Sequence, residues 1–94
     1  MANNIHVSYD LHAPSKNYAT IVDAIQNISG EWAKIHYSLW FVKTTLNTDQ
    51  VFDRLVKVLD DDDSLFVVNA TNNTAKWFGL DPKASEYIKD NWYR

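Results

Sequence analysis

The sequence contains no cysteine, only two glycines and two prolines, and no excess of basic residues. Without cysteine, the chain has neither a disulfide framework nor a thiolate metal site. Nine Lys and Arg against twelve Asp and Glu give a net charge of −3, which argues against nucleic-acid binding through a uniformly basic surface. No run of apolar residues approaches the length of a membrane span or of a secretory signal, so we expect a cytoplasmic protein without a membrane segment.

The composition that remains is that of a soluble globular protein. Ninety-four residues suit one domain, which we place at residues 1–94, and 46% of them are hydrophobic. Because a chain this short buries a modest share of its surface, a homodimer would add useful burial. Aromatic residues reach 14%, including four tryptophans, so some of the rings are candidates for covering a partner instead of filling the core.

Three segments have the pattern of β-strands. In IHVSYDL (residues 5–11) apolar and polar residues alternate, and Asp10 is the last polar one. WAKIHYSLWFVKT (residues 32–44) is rich in aromatic and β-branched residues, and its length suits a strand or a bent hairpin. SLFVVNA (residues 64–70) is nearly all apolar, as in a well-buried strand. AKWFGL (residues 75–80) is a further, short candidate.

Two segments between these strands have helical periodicity, and a third lies near the end of the sequence. Apolar residues recur at helical spacing over residues 18–28 and 51–59, the second stretch following a capping-box variant formed by Asn47 and Gln50. Asp81 followed by Pro82 predicts the start of a short helix that runs to about Asn91. A loop containing Pro14 and Ser15 is expected before the first helix.

The order of these elements predicts an α+β, ferredoxin-like βαββαβ fold. It would have one antiparallel sheet, two helices on one face and a short C-terminal helix. The core would span about residues 5–70, and residues 71–94 would form a C-terminal extension. The sheet face without helices is then either solvated or covered by a second subunit. We expect that face to carry every second side chain of the first strand and of part of the second: His6, Ser8, Asp10, His36, Ser38 and Trp40.

The segments VSYDL, IHYSLWFVKT and LDDDDSLFVV, in this order and spacing, resemble a known superfamily. It comprises the small ferredoxin-like subunit that CRISPR systems use in spacer acquisition and the VapD-type toxin ribonucleases. The chain is most similar to the stand-alone, SinR-like members. The resemblance covers about residues 5–70. It departs from the DNA-binding members in the first helix, because NYATIVDAIQNIS (residues 17–29) contains no Lys or Arg.

The resemblance implies a homodimer in which Asp10 approaches its symmetry mate. In the family, this pair of aspartates is proposed to hold a divalent metal ion, such as Mg²⁺, for phosphodiester cleavage, and Ser38 matches the serine of the second strand. His12, two residues past Asp10, is a candidate acid or base. The alternative for Asp10 is a polar strand end that binds the following loop. Surface or interface roles remain open for Ser38 and for the three histidines.

Two other features of the sequence admit a chemical and a structural interpretation. The acidic run at residues 60–63 lacks the Gly and the distal Glu of a calcium loop, and we interpret it as a solvated turn. The tryptophans are candidates for base stacking, but few lysines lie near them in sequence, which favours the core or an interface with a partner. The interface candidates are Trp40, Trp77 and Trp92.

Three hypotheses for function follow. The first is a dimeric metal-dependent endoribonuclease or nuclease with Asp10, Ser38 and His12 at its site. The second is a non-catalytic dimeric module that binds another protein, as a toxin–antitoxin partner or a phage-borne inhibitor of a defence system does. The third is a CRISPR adaptation subunit, which the acidic charge disfavours.

Overall fold

A computed structural model of the chain describes residues 2–12 and 18–92. The predicted loop residues Pro14 and Ser15 lie outside the described residues. The elements in chain order are β1 (Asn3–Asp10), α1 (Tyr18–Gln26), β2 (Glu31–His36), β3 (Leu39–Thr44), α2 (Thr48–Val56), β4 (Ser64–Asn69), β5 (Thr74–Phe78) and α3 (Pro82–Asn91). The long aromatic segment therefore forms a hairpin, β2–β3.

The strands form a single antiparallel sheet in the order β2-β3-β1-β4-β5. The first strand of the sequence is the central one, and β2 and β5 are the edges. Over residues 2–12 and 18–92 the architecture is α+β with three helices, which is compatible with the predicted ferredoxin-like fold. Among the described residues, no helix is both long and apolar enough to cross a bilayer.

Alternation along β1 sets the orientation of the sheet. Ile5, Val7 and Tyr9 are buried, while His6 and the other even-numbered residues point to the opposite face. Apolar side chains of both α1 and α2 pack on the buried face. The core consists of Ile5, Val7, Tyr9, Leu11, Ile21, Ile25, Ile28, Trp40, Val42, Val51, Leu55, Leu65 and Val67.

The position predicted for Trp40 is wrong. Trp40 is only 3% exposed and belongs to the core, not to the face without α1 and α2. In antiparallel pairing, directly opposite residues share a face, and the register places Trp40 opposite Val7. Both faces of β3 carry large apolar side chains, so only the pairing of β3 with β1 decides which face lies against the core. The outward set includes Leu39 and Phe41, both half-buried.

The helix starts follow the local sequence signals. Gln50 donates its backbone N–H to Asn47 Oδ1, and Asn47 donates its own to Gln50 Oε1, both at 2.9 Å. The capping box predicted for α2 is therefore confirmed. At α3, Asp81 Oδ2 accepts hydrogen bonds from the N–H groups of Lys83 and Ala84. The helix begins at Pro82 and ends at Asn91, as predicted.

Helix α3 packs on the sheet face opposite α1 and α2. Phe66 pairs with Ser8 on one side and with Trp77 on the other, which places all three on that face. The Trp77 indole donates a hydrogen bond to Ser85 Oγ of α3 at 2.7 Å. The Trp92 ring, just past α3, meets the Phe66 ring edge-on at 6.1 Å between centroids. The second face is thus covered over β4 and β5.

Candidate functional site at the end of the central strand

Asp10 is the last residue of β1 and pairs with Ser64 of β4. Its side chain is exposed and points away from the core, as alternation from Tyr9 requires. The carboxylate therefore lies at the end of the central strand, on the face that α1 and α2 leave open. Its exposure leaves room for the water molecules that Mg²⁺ retains when it binds a carboxylate.

Ser38 lies close to Asp10 because of the β2–β3 hairpin. The turn between these strands consists of Tyr37 and Ser38, and the Ser38 carbonyl accepts a hydrogen bond from the Tyr9 N–H at 3.1 Å. The turn is fixed a second time, since the Tyr9 hydroxyl donates to the Tyr37 carbonyl at 3.3 Å. Ser38 is half-buried beside the residue that precedes Asp10.

The loop that leaves β1 is held by an acid that the sequence did not single out. Asp63 is fully buried, and its Oδ1 accepts the backbone N–H of His12 at 3.1 Å. Its Oδ2 accepts the N–H of Asp60 at 2.8 Å, which closes the acidic turn. One carboxylate thus joins the loop after β1 to the turn before β4. His12 itself is exposed.

The acidic turn is only partly the solvated turn that we predicted. Asp60 and Asp62 are exposed, but Asp63 is buried, and carboxylate oxygens of the three lie within 4.8 Å of one another. Asp63 could not be identified from sequence because four consecutive aspartates offer the same side chain. Its position directly before a buried strand is the one local signal, since Asp often accepts hydrogen bonds from nearby backbone in turns.

A buried aromatic pair, Tyr9 and Trp40, supports the hairpin turn that contains Ser38. The Trp40 indole donates a hydrogen bond to the Tyr9 hydroxyl at 3.3 Å. Burial raises the pKa of Tyr9, and the nearby phenols of Tyr37 and Tyr18 raise it further, while the Trp40 hydrogen bond lowers it. Tyr9 consequently stays neutral across the physiological range and can keep donating to the hairpin turn. Its role is to position that turn, because the core encloses it.

The three predicted catalytic residues therefore lie at one end of the sheet, but on separate segments. Asp10 ends β1, Ser38 occupies the hairpin turn and His12 follows β1 in the loop. Of the other two histidines, His6 packs edge-on against Phe41 at 6.0 Å between centroids, farther along β1, whereas His36 ends β2 directly before the hairpin turn and pairs with Leu39. A groove of about 450 Å³ lies between β5 and α3, two strands away from β1, and its lining includes Trp77 and Ser85.

The tryptophans predicted for an interface make contacts within the chain. Trp40 is in the core, as described above. Trp77 is bonded to Ser85, and the Trp92 indole donates to the Asn73 carbonyl at 2.8 Å. These two rings attach α3 to the sheet. The more exposed aromatic residues are others, Trp32 on β2, Tyr37 in the hairpin turn and Tyr87 on α3. Their exposure depends on tertiary packing, so the local pattern could not separate them from the buried rings.

Comparisons with protein-family models, with curated proteins and with solved structures find no match to this chain.

Proposed function

We propose that the protein is a homodimeric, divalent-metal-dependent nuclease of the VapD and CRISPR-subunit type, acting as an endoribonuclease. Asp10 from each of two subunits would hold Mg²⁺. The observation that carries the proposal is the position of Asp10, exposed at the end of the central strand on the open sheet face. A ferredoxin-like assignment agrees with the first six elements, whose strands β2-β3-β1-β4 are antiparallel throughout.

The second subunit is part of the proposal because one carboxylate is too few ligands for Mg²⁺. A two-fold axis beside β1 repeats Asp10 and places two carboxylates around one ion. The open face suits such contact, since the outward residues that precede Asp10 along β1 and their neighbours on β3 are half-buried. They are His6, Ser8, Leu39 and Phe41.

The chemistry would use the metal to lower the pKa of a bound water, which then attacks the phosphorus atom. Asp10 would hold the ion, and Ser38, within the same end of the sheet, would orient a phosphate oxygen or a water. His12 would serve as proton donor to the leaving oxygen, a role that its exposed loop position allows.

The test compares wild type with Asp10→Ala and Asp10→Asn on single-stranded RNA and DNA, with Mg²⁺, with Mn²⁺ and with EDTA. We expect metal-dependent cleavage of RNA, reduced by at least about 10- to 100-fold in both variants, because even outer-shell changes at metal sites cost that much. Asp62→Ala is the control, since it removes an exposed carboxylate from the acidic turn. Equal cleavage by wild type and Asp10→Ala would overturn the site.

The dimer has its own test. Phe41→Glu introduces a charge on the open face and is expected to convert the dimer to a monomer and abolish cleavage. Val58→Glu, in the turn after α2, changes an exposed apolar residue outside the sheet and should leave the dimer intact. Molar mass by light scattering reports the outcome. A dimer of intact wild type that cleaves neither nucleic acid would favour the non-catalytic, protein-binding hypothesis instead.

A further inference from the structure

From the geometry of the edge strand β2, we infer a binding platform for single-stranded nucleic acid, formed by Trp32, Lys34 and Tyr37. This inference deepens the proposed function, on which it rests, because it names the surface that would bind the nucleic-acid substrate. All six residues of β2 are exposed, Trp32 by 42%, and Tyr37 in the following turn by 65%. Neighbouring exposed apolar side chains that form a patch are typical of binding surfaces.

The three side chains of the platform lie on the same side of β2. The Trp32 and Trp40 ring centroids are 5.3 Å apart, and Lys34 pairs with Trp40 in the register, so both residues face the side of the core. Lys34 Nζ is 5.3 Å from the centroid of the Tyr37 ring. The platform therefore places a ring, an ammonium group and a second ring in that order along one side of β2.

Neighbouring rings hold the platform in place before any ligand binds. Trp32 packs on Trp40, which the core encloses, and Tyr37 packs on Tyr18 of α1 at 5.1 Å between centroids. The Tyr37 backbone is fixed as well, through the hydrogen bond from the Tyr9 hydroxyl. Preorganised aromatic surfaces lose little conformational entropy on binding.

Aromatic faces interleaved with a cation are the arrangement that binds single strands, in which bases stack on rings and the cation meets a phosphate. A peptide added as a strand to the edge of β2 is a weaker fit, because the register shifts between Lys34 and His36 and so interrupts the ladder that such a peptide would extend. The edge strand therefore favours nucleic acid over an added β-strand.

The position of the platform connects it to Asp10. Tyr37 adjoins Ser38, whose carbonyl is bonded to the N–H of Tyr9, the residue before Asp10. The acidic turn at residues 60–63 precedes β4, whereas the platform lies beyond β3 on the other side of β1. The platform faces the side of α1, whereas Asp10 projects from the opposite face, so a single strand stacked on Tyr37 would pass around the hairpin turn to reach Asp10. It would do so on the side away from the acidic turn, where repulsion of its phosphates is smaller.

The experiment measures binding without cleavage. A fluorescently labelled ten-nucleotide single-stranded RNA is titrated with protein in EDTA, and anisotropy reports the dissociation constant. Tyr37→Ala is expected to weaken binding by about 5- to 150-fold, the range for loss of one base stack, while Tyr37→Trp should retain it. Lys34→Ala should reduce the slope of log Kd against the logarithm of the salt concentration by about 0.7. Tyr87→Ala is the control, since Tyr87 is a 70% exposed tyrosine on α3.

The outcomes separate this inference from the proposed function. A Tyr37→Ala variant that binds as tightly as Tyr87→Ala would overturn the platform, even if Asp10→Ala abolishes cleavage. Loss of binding in Tyr37→Ala and Lys34→Ala, with Asp10→Ala still cleaving normally, would support the platform and overturn the proposed catalytic site. Binding of duplex as tight as single strand, or no binding of any oligonucleotide by wild type, would overturn the platform. A deoxyribonucleotide arm separates RNA from DNA.

Discussion

The buried carboxylate of Asp63 accepts the backbone N–H of His12, 51 positions earlier in the sequence, at 3.1 Å. This hydrogen bond joins the acidic turn to the loop that leaves β1 next to Asp10. The same carboxylate accepts the N–H of Asp60. Asp63 therefore holds the loop beside Asp10 against the acidic turn. We expect the stability of the fold to depend on this carboxylate as well.

We predict that Asp63→Ala lowers the free energy of unfolding by about 2–3 kcal/mol, because two N–H groups lose a charged acceptor within a buried site. Asp63→Asn retains one carbonyl oxygen and should lose less. Urea denaturation followed by tryptophan fluorescence measures the change. Asp62→Ala, at an exposed position, is the matched control. Equal free energies for Asp62→Ala and Asp63→Ala would contradict the role given to Asp63.

Gly79 has a positive φ of 76°, and a Cβ atom there would lie 2.1 Å from the backbone carbonyl oxygen of Asp63. We predict that Gly79→Ala lowers the free energy of unfolding by more than about 3 kcal/mol, because backbone strain and a clash with backbone add together. Gly30→Ala is the control, since no atom lies within 4 Å of its added Cβ. It should change stability by less than about 0.5 kcal/mol, as surface substitutions do.

Because burial raises the pKa of Tyr9 above its usual 10.0, stability should depend on Tyr9 at alkaline pH. Above pH 10 the unfolded chain loses the Tyr9 proton while the folded chain keeps it, so the unfolded state binds fewer protons and stability falls as pH rises. Below pH 10 this contribution is constant. Denaturation midpoints from pH 8 to 11 should therefore fall more steeply above pH 10 in wild type than in Tyr9→Phe.

The same substitution tests the Trp40 hydrogen bond. Tyr9→Phe leaves the buried indole N–H of Trp40 without its acceptor, so we expect a loss of about 1–3 kcal/mol at pH 7. Tyr87→Phe removes an exposed hydroxyl and provides the control. A Tyr9→Phe variant as stable as wild type at pH 7, with an unchanged alkaline slope, would show that the Tyr9 hydroxyl is not part of the support for the hairpin turn.

Helix α3 should detach from the sheet when Trp92 is truncated. Trp92→Ala removes both the ring contact with Phe66 and the hydrogen bond to the Asn73 carbonyl. We predict that amide hydrogen exchange across α3 accelerates by tenfold or more, while exchange in β1 is unchanged, since local opening involves the elements with few buried contacts. Tyr87→Ala, on the exposed side of the same helix, should leave the exchange of α3 near that of wild type.

Several elements could be predicted from sequence because their determinants are local. The capping box of Asn47 and Gln50 and the start of α3 at Asp81 depend on residues within one helical turn. The strand β1 follows from strict alternation, which has only one way to place its apolar side chains inside. The hairpin β2–β3, by contrast, is not determined locally, because residues 32–44 suit either one long strand or a bent hairpin.

The candidate site was only partly predictable. The resemblance points to Asp10 and Ser38, and proximity to Asp10 in the sequence points to His12; the fold places all three at one end of the sheet. Asp63 was missed because its neighbours are chemically identical, and only the bond to His12 distinguishes it. The exposed rings of Trp32 and Tyr37 were missed because exposure is not a property of a residue's type.

The amino-acid sequence alone was enough to predict an α+β architecture with its strands and helices in order, because periodicity and caps act over a few residues. The tertiary structure alone decided that Trp40 lies inside, although β3 offers large apolar residues on both alternations. Pairing with Val7 on β1 makes that choice, since opposite residues of an antiparallel pair share a face. Long-range contacts likewise decided which of four aspartates is buried and which aromatic rings face solvent.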